Sequence, residues 1–220
     1  MKLGFISGTG KEGKALAIRF GMHGHSIFIG SRSTDKALVT ENEIKLKLPK
    51  IDIKGSDYHN TVLAADIIFI ALPYHVVITE LSNLKDVLKN KIIIDTSVPM
   101  IYNKGKFNRD STIKDSISSQ LNDSLNSTRV ISAFHTISHF DLNNINIELD
   151  HDVLYFANDS SAESIFLNLI TTIKGLNPVK CGTLDLSFLV ESQVPLLLNI
   201  NKIYKKSTSI KIKGLWFIYP

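Results

Sequence analysis

The sequence predicts an α/β protein: a Rossmann-type doubly wound, mostly parallel sheet with a small, mainly helical C-terminal extension. Three observations predict it. Up to Asp95, apolar runs of strand length alternate with segments of helical spacing in the order β-α-β-α-β-α-β-α-β, the order that winds helices over both faces of a parallel sheet. The run Ile67 to Leu72 is apolar at every position and Lys91 to Asp95 reads KIIID, as expected of strands covered on both faces. Between the first strand and the first helix stands Gly8-x-Gly10-x-x-Gly13, the glycine turn that lets a backbone approach a phosphate.

Lys2 to Ser7 carries Leu3, Phe5 and Ile6 and reads as the first strand; Lys14 to Phe20 sets Leu16, Ala17 and Phe20 at helical spacing. Ser26 to Ile29 is the second strand, and Thr34 to Lys47 a helix that stops before Pro49. Ile51 and Ile53 mark a brief third strand, Asp57 to Ala65 a short polar helix, and Ile67 to Leu72 the fourth strand. Tyr74 to Lys89 is helical through Val77, Leu81, Leu84 and Leu88, and the KIIID strand follows. Ile101 to Asp110, with its Asn, Gly and basic residues, is expected as an exposed loop on the rim of the ligand crevice. Ser111 to Leu125 keeps Ile113, Ile117 and Leu121 four apart and predicts a helix. Arg129 to Phe134 and Val153 to Ala157 read as strands, Ser161 to Ile173 as a helix, and Asn177 to Lys180 as a last short strand. Leu184 to Tyr204 is apolar on most sides, so a buried helix is expected there, kinked at Pro195 and lying in the crevice or against a second subunit.

Ligands of doubly wound sheets bind at the carboxyl ends of the strands. The Gly8 turn, Ala71-Leu72-Pro73 and Thr96-Ser97-Val98-Pro99 therefore converge on one crevice. The glycines permit the tight turn, the approach of a pyrophosphate and close helix packing, and the helix N-terminus offers free amides to the anion; Thr9 adds a hydroxyl. About twenty residues past the turn, an NAD-binding fold places a carboxylate on the ribose. This chain has Gly30-Ser31-Arg32 instead. Ser31 can hydrogen-bond a 2′-phosphate, the Arg32 guanidinium can fork onto it, and Lys36 adds a positive charge, so NADP(H) is expected over NAD(H).

A chain of 220 residues with 44% hydrophobic and 21% charged residues has the balance of an ordinary globular protein. Its net charge of +4 is scattered, without the basic stripe of a nucleic-acid binder. The single cysteine, Cys181, excludes an intrachain disulfide framework and is expected as a small buried side chain; with no signal-like start and no apolar run of bilayer length, a cytoplasmic protein with no membrane partner is expected.

Several segments resemble one family along the whole chain: GTGKEGKALAIRFGMHGHSIFIGSR near the start, ALP at Ala71 to Pro73, KIIIDTSVP at Lys91 to Pro99, VISAFHTIS at Val130 to Ser138, and LVESQVPLLLNI at Leu189 to Ile200. They are similar to the NADPH-dependent deazaflavin reductases, also called coenzyme F-420:NADP oxidoreductases. The resemblance implies hydride transfer between NADP(H) and the deazaflavin. It implies NADP contacts at Gly8, Thr9, Gly10, Lys11, Glu12 and Gly13 and, around the 2′-phosphate, at Ser31, Arg32 and Lys36. Leu72, Pro73, His75, Val98, Pro99, Ala133 and His135 would border the two rings. Residues 1–150 would form the NADP-binding domain and 151–220 a smaller domain with the deazaflavin pocket and homodimer contacts. The chain departs from the family at Ser138, where proline is usual, at His75, where the family's histidine is displaced, and in the longer, more basic tail from Lys205 to Pro220.

Both rings carry their own redox chemistry, so no catalytic side chain is expected, although His135 could bond a ring carbonyl. His135 and His139 stand four apart, but without the glutamate of a metalloprotease motif they are read as one histidine in a pocket wall and one exposed, not as a metal site. Lys202, Lys205, Lys206, Lys211 and Lys213 could meet the coenzyme's acidic tail or simply be solvated. A flavin or ferric reductase of the same fold, or a non-catalytic NADP(H) sensor, are the competing readings.

Overall fold

Residues 1–126 and 129–215 are described by a computed structural model. The strands β1 (Lys2–Ile6), β2 (Ser26–Gly30), β3 (Ile53–Ser56), β4 (Ile67–Ile70) and β5 (Ile92–Asp95) form at the expected runs. Between them lie α1 (Lys11–Gly21), α2 (Thr34–Lys47), α3 (Tyr58–Ala64), α4 (Tyr74–Ser82) and α5 (Lys85–Leu88). Further on come β8 (Arg129–Ser132), β9 (His151–Ala157) and β10 (Leu176–Gly182), with α6 (Ile117–Leu125), α7 (His139–Asn143) and α8 (Ser160–Ile170) among them. The sheet has eight strands in the order β10-β9-β8-β5-β4-β1-β2-β3. All its pairings are parallel except β8 with β9, so the doubly wound expectation holds. The sheet runs on through Gly182, across the division placed after residue 150.

Full burial of IIFI in β4 and IIID in β5 gives each face of the sheet its own core. On one face Phe5 stacks on Phe69 with centroids 4.7 Å apart, and Phe20, Phe134 and Phe166 continue the cluster under α1 and α8. On the other, Ile6, Ile68, Ile70 and Ile93 meet Val62, Val77, Leu81 and Leu121 from α3, α4 and α6. Ser33, Asp57, Ser116 and Asp159 cap α2, α3, α6 and α8 by accepting a first-turn N–H, which starts each helix without cost in orphan donors.

Five expectations need correction. The loop at Ile101 to Asp110 is a hairpin, β6 (Met100–Asn103) with β7 (Lys106–Arg109). Lys104 and Gly105 take positive φ in its two-residue turn, and that chemistry reads from sequence as loop. The helix expected over Tyr74 to Lys89 breaks after Ser82 into α4 and α5, and the one from Ser111 starts only at Ile117, where Ser116 supplies the cap. Leu184 to Tyr204 is three pieces: a 3₁₀ turn at Leu184–Leu186, α9 (Phe188–Glu191) and α10 (Val194–Tyr204). Pro195 sits in the first turn of α10, where its missing N–H is harmless, so it starts a helix instead of kinking one. Cys181 is exposed, because it follows the buried stretch of β10. Part of the basic tail, residues 216–220, lies outside the described residues. Among the described residues no helix is long and apolar enough to cross a membrane.

Candidate functional site

Parallel register aligns Ile6, Gly30, Ile70 and Asp95 at one edge of the sheet, and a cleft of about 1230 Å³ opens just beyond it. Three residues that line it hold left-handed backbone without being glycine: Ser7 after β1 (φ 64°), Phe134 after β8 (φ 70°) and Lys205 after α10 (φ 52°). Such conformations cost about 1–3 kcal/mol and persist where surrounding packing enforces them.

The glycine turn forms one end. A Cβ on Gly13 would lie 2.8 Å from the Ser7 carbonyl and 3.0 Å from Gly8 Cα, and one on Gly8 would lie 2.9 Å from Phe5 Cβ. These two glycines let α1 sit down on β1. Gly10, the N-cap of α1, has no side chain to bond the first turn, which leaves first-turn amides free for an anion. Glu12 follows in that first turn. Burial pushes its carboxyl up to about 8, and Oε1 is shielded with no hydrogen-bond partner.

The middle of the cleft is walled by the segments after β4, β5 and β8. Ala71, Leu72 and Pro73 face Thr96, Ser97 and Val98. Hydrogen bonds from Thr96 Oγ1 to the Ile70 carbonyl (2.9 Å) and from Ser97 Oγ to the Leu72 carbonyl (3.4 Å) hold the two loops together. His135 is 8% exposed and neither ring nitrogen completes a hydrogen bond; burial drives its pKa down to about 4, opposed only by the Ser97 main chain. It is therefore neutral at pH 7, with both ring nitrogens shielded from solvent in the wall. His139, expected to be exposed, lines the cleft at the start of α7, its pKa lowered by burial and then by the charge of Lys11.

Another part of the lining comes from α10 and the chain after it. Leu197 and Leu198 add apolar surface, and Lys202, Lys205, Lys206, Ser207 and Thr208 add cations and hydroxyls. Of the other two lysines considered for this role, Lys211 pairs with Asp150 and Lys213 does not line the cleft.

Of the residues expected at the site, Gly10, Glu12, Leu72, Pro73, His75, Val98 and His135 line the cleft. Gly8 and Gly13 shape the turn from behind. Thr9, Lys11, Pro99 and Ala133 adjoin the lining without forming it. Ser31, Arg32 and Lys36 follow β2, whose end lies beside that of β1. Ser31 is buried and its Oγ accepts the Ser33 N–H. Arg32 and Lys36 are exposed, and the Arg32 guanidinium makes no hydrogen bond or ion pair among the described residues, its charge being felt at Tyr58. Sequence reasoning missed Phe107, because it lies on the unforeseen hairpin, and Ser7, whose strained backbone has no compositional signal.

Comparison with known proteins adds three findings. Residues 2–99 match the model of a family described as NADP oxidoreductase, coenzyme F420-dependent. The F420-dependent NADP reductase of Methanocaldococcus jannaschii is 30% identical over 98% of this chain and 99% of its own, and that of Methanothermobacter marburgensis 28% identical over the same shares. Among solved structures, a provisionally assigned F420-dependent NADP-reductase from Arthrobacter superposes with a TM-score of 0.80 at 19% identity, covering 94% of this chain and 96% of that one. An imine reductase from Bacillus cereus follows at 0.65 and 16%, covering 93% and 63%.

Proposed function

This chain belongs to the family of F420-dependent NADP reductases, and from that membership we infer an oxidoreductase that moves a hydride between NADP(H) and the deazaflavin coenzyme F-420. The reading is carried by one observation: a single large, mainly apolar cleft is lined in part by an open helix start with no side-chain cap.

The residues present fit both partners. The first turn of α1 would hold the pyrophosphate, with Gly10 admitting it because a Cβ there would already lie 3.2 Å from the Ser7 carbonyl. Arg32 and Lys36, free and exposed beside that turn, would hold a 2′-phosphate, where a carboxylate would repel it. Leu72, Pro73 and Val98 would confine the rings, and the neutral His135 would offer a hydrogen bond to a ring carbonyl. Once bound, the two rings supply the redox chemistry themselves. The protein's work is to orient them and keep water out, an arrangement that can lower a barrier by about 7 kcal/mol or more. Lys202, Lys205 and Lys206 would receive the acidic tail of the deazaflavin.

We further propose a homodimer. Leu186, Phe188, Leu189, Leu196, Ile203 and Tyr204 stand exposed on the 3₁₀ turn, α9 and α10, more apolar surface than a monomer of this size ordinarily leaves in water. Light scattering should give twice the chain mass at micromolar concentration. A cytoplasmic location fits the single free thiol.

The test of the function is optical. NADPH and the purified protein should bleach the visible absorbance of the deazaflavin coenzyme. Turnover with FMN or a ferric chelate and none with the deazaflavin would sink the assignment.

A further inference from the structure

Glu12 is the sole carboxylate among the residues lining the cleft, and it stands in the turn that the reading above gives to a pyrophosphate. The residue as a whole is part-exposed, yet Oε1 is shielded from water and bonded to nothing. A buried polar atom with no partner calls for an explanation, and the residue that carries it lines the cleft at the turn given to the nucleotide. The helix N-terminus taken alone would favour a carboxylate. A pyrophosphate at the same turn reverses that preference, because an anionic side chain would face an anionic ligand in a site poor in water. A neutral carboxyl instead donates its O–H to a phosphate oxygen.

We propose that Glu12 is a proton-carrying ligand of the nucleotide: the enzyme binds NADP(H) with this carboxyl protonated, so that binding draws a proton from solvent and weakens in alkali. The proposal deepens the reading of the cleft as a nucleotide site and rests on it. The proton bonds to a Glu12 carboxylate oxygen on binding, stays there through the reaction and returns to solvent on release. No electrons move in this step.

Burial is the cause that raises this carboxyl to about 8 in the free protein, which puts the linkage in an accessible window. The other titratable groups that line the cleft are Tyr74 and His75 on α4, His135 and His139 after β8, and Lys202, Lys205 and Lys206 on α10 and beyond, and Lys11 precedes Glu12 on α1. Burial holds His135 and His139 low, so neither takes up a proton at pH 8. The 2′-phosphate, with a second pKa of about 6, is already a dianion there.

The experiment is calorimetric titration of the intact protein with NADP⁺ at pH 8 in buffers of different ionisation heat. The slope against buffer enthalpy should report uptake of about half a proton per site, and Kd should weaken about tenfold per pH unit above that carboxyl's midpoint. Glu12→Gln, which keeps a donor and cannot ionise, should bind with no uptake and no alkaline weakening. Glu12→Met serves as the second uncharged variant should the first misfold. Zero uptake by the wild type overturns the proposal without either variant, as does equal uptake by wild type and variant. Binding without proton uptake leaves the nucleotide reading standing, whereas absence of NADP⁺ binding at every pH sinks both.

Discussion

The side-chain amide of Asn199 on α10 and the main chain of Phe107 on β7 exchange two hydrogen bonds: the Phe107 N–H donates to Oδ1 at 3.0 Å, and Nδ2 donates to the Phe107 carbonyl at 2.8 Å. One turn on, Lys202 Nζ donates to the Tyr102 hydroxyl at 3.2 Å and to the Gly105 carbonyl at 2.5 Å. The hairpin is thereby strapped to the terminal helix, and Phe107 is held in the cleft wall. At its base the Tyr74 hydroxyl donates to Asp110 Oδ2 at 2.6 Å, so the flap is tied to α4 as well.

Asn199→Leu keeps the size of the side chain and removes both strap bonds. Each is worth about 0.5–1.5 kcal/mol, so a modest fall in Tm is expected. The sharper effect is on the ring partner: KM for the deazaflavin should rise about tenfold while Kd for NADPH stays within twofold. Equal changes in both would place the hairpin outside the second ring's site.

Arg32→Glu tests the source of the cofactor preference. A charge-assisted bond contributes about 1.5–3 kcal/mol, so removing it and adding repulsion should raise the NADPH KM by roughly 100-fold, with little change for NADH. Steady-state kinetics with both dinucleotides decide it. A parallel loss for NADH would mean that Arg32 serves the fold or the shared adenosine.

Lys205 and Lys206 line the cleft, with Ser207 and Thr208 beside them. Reversing both to Glu should raise KM for the deazaflavin coenzyme and abolish its rise with salt, since screened cations are what salt weakens. A deazaflavin chromophore lacking the acidic tail should show no change. If the tail-less chromophore suffers equally, the lysines act on the wall and not on the tail.

The sheet was legible because parallel strands covered on both faces are nearly continuous apolar runs, as IIFI and IIID are. The turn was legible because Gly8 and Gly13 are forced by contacts under 3.0 Å. What escaped was built by non-local contacts. The hairpin at 100–109 is polar and short, and it holds its place through Asn199 and Lys202 nearly a hundred residues away. α7 is a five-residue helix (His139–Asn143), too short for periodicity to mark. Its position is set by Arg19, a residue that reads from sequence as an ordinary helix-face arginine.

That arginine carries a prediction. Arg19 is 4% exposed and its guanidinium donates to the carbonyls of Leu142 (3.0 Å), Asp141 (3.1 Å), Asn144 (2.8 Å) and Ile147 (3.4 Å). The fork thus satisfies the C-terminal end of α7 and fixes the segment that presents His139 to the cleft. Lysine has one point of attachment and cannot reproduce this, so Arg19→Lys and Arg19→Met should each destabilise by about 2–3 kcal/mol, the cost of leaving several carbonyls poorly paired. Chemical denaturation measures it; a loss under 0.5 kcal/mol, the low end for one hydrogen bond, would show that α7 stands without the fork.

Glu191 predicts how stability depends on pH. It is fully buried, its Oε1 accepts the Ile117 N–H at 3.1 Å and its Oε2 has no partner. Asp95, also fully buried, accepts from Ser118 Oγ at 2.7 Å and from the Ser97 N–H at 3.1 Å. Burial raises both carboxyls, Glu191 to about 8 with the charge of Asp95 adding to the rise. A carboxyl raised on folding binds its proton more tightly in the native state than in the unfolded one, so stability falls as pH climbs from the unfolded value of 4.5 towards 8 and is lowest beyond it. Glu12 contributes with the same sign over the same window. His135 acts at the other end: its lowered pKa, about 4, means that stability falls as pH drops below 6.5. Glu191→Gln retains the oxygen for Ile117 and removes the titration. Its Tm should match the wild type near pH 4.5 and exceed it at pH 8.5, with a residual alkaline slope that Glu12→Gln flattens further. A Glu191→Gln protein less stable than wild type at pH 8.5 would mean that the carboxylate, not the acid, is the buried form, held by Arg109, whose charge opposes the rise.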